Sequence, residues 1–83
     1  MTAFERELQS LKPYDEVQST SDRHGYPFIG TAGHGYLVVP KSSPLFKNAE
    51  GICEYGYVGH LAVYLEEDSE APLFLRKYGY VIA

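Results

Sequence analysis

Tryptophan is absent, cysteine and methionine occur once each, and no long apolar run exists; each shortage removes a class of protein. The single thiol, Cys53, cannot form an intramolecular disulfide, so the chain fits a reducing compartment better than a secreted disulfide framework. No stretch approaches the roughly 20 apolar residues of a membrane span. The start of the chain carries Glu5, Arg6 and Glu7 in place of the apolar run of a signal sequence. The expected location is therefore the cytoplasm of a bacterial cell, with no membrane partner. Positive charge is also scarce, with 7 Lys and Arg against 11 Asp and Glu and a formal net charge of −4. The basic residues stand singly apart from Arg76-Lys77, which argues against direct nucleic-acid binding, whose footprint is clustered Lys and Arg.

At 83 residues the chain supports one hydrophobic core and hence a single domain over 1–83. A domain this short buries only roughly 60 to 65% of the surface its unfolded chain exposes. What the composition holds in excess is tyrosine, 8 in all. Tyr26, Tyr36, Tyr57 and Tyr80 each follow a glycine directly. Tyrosine combines apolar area with a polar tip, so it suits half-buried sheet faces and contact surfaces alike.

Phe4, Leu8 and Leu11 stand at helical spacing, and Thr2 three residues before Glu5 reads as a capping box, which predicts a short helix ending near Pro13. Residues 14–23 are polar and rich in turn formers, and read as a connecting loop. Residues 24–30 and 35–39 read as two strands joined by Thr31-Ala32-Gly33-His34, a connection of hairpin length. Pro27 cannot donate to a ladder, which predicts that the first of these strands is an edge. Ser43-Pro44 signals a second helix, with Leu45, Ala49, Ile52 and Cys53 on one face. Residues 58–66 alternate as a strand, Asp68-Ser69 opens a last helix with Pro72 in its first turn, and 80–83 hold a terminal strand. Gly56 and Gly79 are expected as left-handed helix caps. The fold class expected is α+β, a small, mostly antiparallel sheet with two or three short helices on one face, in the order α-β-β-α-β-α-β.

Four features invite chemistry. The glycine cluster from Gly30 to Gly35 could cradle phosphate, but phosphate loops join a strand to a helix, and this one joins two strands. Glu66-Glu67-Asp68 with Glu70 could hold a divalent cation, yet the run falls where a helix begins and negative charge is favoured there. His24, His34, His60 and Cys53 lack any ligand spacing, so neither a metal nor another cofactor is expected. Cys53 lies on the apolar side of its helix, where thiols are usually inert. His34, flanked by glycines, presents an accessible imidazole and is the candidate acid or base.

The phrases Thr31-Ala32-Gly33-His34-Gly35-Tyr36-Leu37-Val38-Val39-Pro40 and Ala62-Val63-Tyr64-Leu65-Glu66-Glu67-Asp68 resemble two blocks found together in small uncharacterised proteins of bacteriophages and other mobile elements. Longer members often carry a cysteine after the Glu-Glu-Asp, where this chain has Ser69. The resemblance implies a phage or plasmid accessory protein and brings no settled activity. Small phage proteins often act stoichiometrically, so the expected function is protein binding, as an inhibitor of a host or antiviral-defence factor such as a CRISPR-type complex. Exposed tyrosines, first Tyr26, Tyr36 and Tyr64, with His34 and the acidic corner Glu66, Glu67 and Asp68, are the expected contact residues. The alternative is a small enzyme or ligand-binding domain joining His34 to Glu66 or Glu67 across neighbouring strands. A homodimer through the strand containing Pro27 is a third expectation.

Overall fold

A computed structural model describes residues 1–78; the expected strand at 80–83 and the Gly79 cap lie outside the described residues. The elements are α1 (Ala3–Leu11), β1 (Val17–Arg23), β2 (Tyr26–Thr31), β3 (Gly35–Pro40), α2 (Phe46–Ile52), β4 (Tyr57–Val58), β5 (Ala62–Glu66) and α3 (Glu70–Lys77). Among the described residues, the strands form one antiparallel sheet in the order β1-β2-β3-β5-β4. The α+β class therefore holds, with the order α-β-β-β-α-β-β-α in place of the expected one.

The first difference is β1, where a loop was expected. Its residues are exposed along most of its length, so burial does not build it. A two-residue connection does: His24 at φ 56° and Gly25 at φ 85° give the double positive φ of a type I′ turn, which folds Val17–Arg23 back along β2. His24 thus belongs to the turn and not to a strand. With β1 outside it, β2 is an inner strand, which corrects the edge assignment drawn from Pro27. The proline is accommodated because pairing to β3 begins one residue later, at Phe28↔Leu37. The second difference lies in 58–66, which is two strands. The Gly59 N–H donates to the Ala62 carbonyl at 2.8 Å and reverses the chain between β4 and β5.

The strands alternate side chains between two covered faces. On one lie Phe28, Leu37, Val39, Val63 and Leu65, closed by Ala49 of α2 and Phe74 of α3. On the other lie Ile29, Tyr36, Val38, Ala62 and Tyr64, closed by Leu8 of α1 with Phe4 beside it. The expectation of helices on one face is corrected: α1 takes the opposite side from α2 and α3.

Local signals fare differently at the helix ends. At α1 the capping box is present, with the Glu5 N–H donating to Thr2 Oγ1 at 3.1 Å and the Thr2 N–H donating to Glu5 Oε1 at 2.6 Å. Ser43 Oγ accepts from the Leu45 N–H at 3.1 Å and shapes the turn ahead of α2, which begins only at Phe46. Gly56 is not a left-handed cap, since Gly25 holds the positive φ among the described glycines. Its need for glycine is steric, because a Cβ there would collide with the Tyr64 carbonyl oxygen.

Candidate functional site

Where α1 ends, the chain crosses the lower edge of its sheet face, and polar side chains from four segments meet. Thr31, His34 and the loop before β1 set the geometry. Thr31 Oγ1 donates to Asp15 Oδ2 at 2.6 Å, the Gly33 N–H donates to Asp15 Oδ1 at 2.9 Å, and the His34 N–H donates to Thr31 Oγ1 at 3.0 Å. The hairpin tip bearing His34 is therefore clamped by one carboxylate. The Thr31 hydroxyl is the main cause that holds the Asp15 carboxyl down at about 2, helped by the Gly33 amide and Lys12.

Lys12 sits at the centre. Its Nζ donates to the Tyr36 hydroxyl at 2.7 Å, pairs with Asp15 at 3.1 Å, and lies 5.1 Å and 5.7 Å from the ring centres of Tyr36 and Tyr57. Partial burial pulls its pKa down, but the bonds to Tyr36 and Asp15 outweigh this and leave it raised. Burial likewise raises Tyr36, with Lys12 opposing.

Across the pair β3–β5, Tyr36 stands opposite Glu66, which brings Glu66 under the hairpin tip. His34 Nδ1 lies 3.4 Å from Glu66 Oε2, and the Asp68 N–H donates to Glu66 Oε1 at 2.8 Å. One expected pairing is thus made. Glu67 is not part of it: its carboxylate meets Arg23 at 3.1 Å, whose guanidinium lies 3.6 Å over the Phe28 ring on the opposite face. Adjacent residues leaving a strand point to opposite sides, which explains the split.

The acidic run therefore does not converge. Glu66 faces His34, Glu67 faces Arg23, Asp68 is exposed, and Glu70, 4% exposed, accepts from the backbone amides of Tyr55 at 3.3 Å, Gly56 at 2.5 Å and Glu66 at 3.3 Å. Among the described residues, no group of three or more His, Cys, Asp or Glu is placed to hold a metal ion. Burial pushes the Cys53 thiol up to about 11, and the neighbouring Glu70 carboxylate adds to this, so it stays a thiol near neutrality.

The expected contact tyrosines are corrected. Tyr26, Tyr36 and Tyr64 are 3%, 2% and 0% exposed. Tyr26 packs edge-on against Phe74, Tyr36 supports Lys12, and Tyr64 donates its hydroxyl to Glu7 Oε1 at 2.7 Å. Among the described residues the exposed tyrosines lie in loops: Tyr14 is fully exposed and Tyr55 is 69% exposed. Both border a groove of two adjoining hollows, about 410 and 460 Å³, that share Lys12, His34 and Tyr57. Lys12, Asp15, Tyr14, Tyr55 and Tyr57 were not singled out for this site from sequence. Tyr55 and Tyr57 flank Gly56, which read only as a helix cap.

No protein-family model, characterised protein or solved structure matches the chain. Among the described residues no helix is long and apolar enough to cross a membrane.

Proposed function

We propose that the chain is an accessory protein of a phage or mobile element that acts in the bacterial cytoplasm by binding a host or antiviral-defence protein one-to-one and inhibiting it. The contact surface is the groove between the end of α1 and the β2–β3 hairpin tip. The observation that carries this reading is the rim: Tyr14 and Tyr55, with Leu11 at 38% exposure, leave large apolar area in solvent beside an ordered polar floor. Tyrosine gives wide contact at low entropy cost, and anchors of this type dominate binding energy. The floor is held by Asp15 and Glu66 before any partner arrives, which lowers the cost of ordering on association.

A tagged chain used to capture partners from the bacterial host, followed by titration of the captured protein, tests this. A one-to-one complex is expected, with inhibition complete near equimolar protein. Full effect far below equimolar amounts would replace binding with catalysis. The second reading, a small enzyme or ligand-binding domain, is favoured by one contact, the 3.4 Å approach of His34 Nδ1 to Glu66 Oε2. A carboxylate there orients an imidazole so that its other nitrogen can accept a proton. In that case His34→Ala abolishes activity outright; in the binding reading it has a graded effect.

A further inference from the structure

We infer that the groove is a subsite for one basic side chain of the protein partner, an arginine guanidinium; this rests on the binding reading above and supplies its chemistry. The walls are aromatic, and they already receive a cation from one side. The ammonium of Lys12 lies over the Tyr36 and Tyr57 rings, which themselves stand 6.0 Å apart at 55°. The exposed ring of Tyr55 lines the open part of the same hollow.

The charge of the lining points the same way. One lysine faces three carboxylates, Asp15, Glu66 and Asp68. Lys12 is committed to Asp15 at 3.1 Å and to the Tyr36 hydroxyl at 2.7 Å, so the charge left over is negative and belongs to the exposed Asp68 and to Glu66, whose Oε2 lies 3.4 Å from His34 Nδ1. The Glu66 side chain is 11% exposed and met by the Asp68 amide at Oε1 and by His34 Nδ1 at Oε2, so it is oriented while further lone pairs on its two oxygens remain. A planar guanidinium can stack on a tyrosine ring while its edge meets a carboxylate, which a compact ammonium does less well. An anionic ligand would meet those two carboxylates with the Lys12 ammonium already occupied.

The test is a titration of the isotope-labelled full chain, followed by amide chemical shifts, with N-acetyl-arginine amide and with N-acetyl-citrulline amide, its uncharged counterpart. Saturable shifts at His34, Tyr55, Tyr57 and Asp68 with the arginine compound alone are expected. Asp68→Asn, at an exposed position, should weaken this binding about fivefold, and Glu66→Gln at least as much. Equal shifts with citrulline, shifts that rise without saturating, or an unchanged affinity in Asp68→Asn would overturn the inference. If arginine amide saturates the groove but the chain captures no partner, the subsite stands and the protein-binding reading falls. If a one-to-one partner binds Asp68→Asn and Glu66→Gln as well as the original chain, the reverse holds.

Discussion

The sheet face under α2 and α3 packs Tyr26, Phe28, Leu37, Val39, Val63 and Leu65 against Phe74 of α3, whereas the face under α1 centres on two buried tyrosines with bonded hydroxyls and a helix that reaches out with polar groups. From α1, Glu5 accepts from the Thr20 hydroxyl of β1, Glu7 accepts from the His60 and Leu61 amides and the Tyr64 hydroxyl, and Gln9 accepts from the Val17 amide. Among the described residues, the main group of this kind on the other side is Glu70. Apolar burial is non-directional and contributes most of the folding energy, whereas hydrogen bonds add little net stability but fix geometry. One face thus holds the domain together and the other holds loops in place, and the groove lies on the second.

The largest effect is expected where a polar clamp sits within the apolar side. Glu70→Ala removes the acceptor of three backbone amides, one buried and two partly buried, and should cost about 3 kcal/mol, more than the about 1 to 2 kcal/mol expected for the partly exposed Glu7→Ala. Chemical denaturation of both variants checks the ranking, and equal costs would erase the contrast between the faces. Gly56→Ala comes next at about 2 kcal/mol, because its Cβ would overlap the Tyr64 carbonyl. Tyr64→Phe should cost only about 1 kcal/mol, since the ring stays buried while the bond to Glu7 is lost.

These magnitudes follow from contacts that local sequence does and does not announce. The Glu5 bond to Thr20 of β1 was not readable, but the capping box of α1 was, because Thr2 and Glu5 are three residues apart and bond to each other within one turn. The same holds for the β2–β3 turn and the apolar face of α2. β1 was invisible because Gln18, Ser19, Thr20 and Ser21 bury nothing, so no alternation marks the strand; the turn residues His24 and Gly25 make it. Tyr26, Tyr36 and Tyr64 were read as exposed because tyrosine suits a contact surface as well as a core, and this sheet is covered on both faces. The meeting of His34 with Glu66 depends on β3 pairing with β5 across α2 and β4, a non-local register. Asp15 sits in a segment whose polarity reads as solvent exposure and Lys12 at the end of the expected first helix, although both lie against the hairpin tip.

A pH series sharpens the comparison on the groove side. Asp15 is held from its ordinary 3.8 down to about 2 in the folded chain, mainly by Thr31. A depressed carboxyl contributes stability that is full above its unfolded value and lost as pH falls through the folded one, here between about 4 and 2. Acid titration of Asp15→Asn should show a flatter decline over that window than the original chain. Identical slopes would mean that the Thr31 and Gly33 bonds do not persist in solution.

The central claim is that the α1 face presents a contact groove whose rim can be altered without touching the fold. Capture from host lysate by the original chain and by the double variant Tyr55→Ala with Asp68→Asn, each paired with a denaturation curve, tests it most directly. Both substitutions lie on exposed positions, so stability should change by no more than about 0.5 kcal/mol. The original chain should retain a partner near one-to-one, and the variant should lose it. Equal retention by an equally stable variant, or no partner on either, would contradict the account.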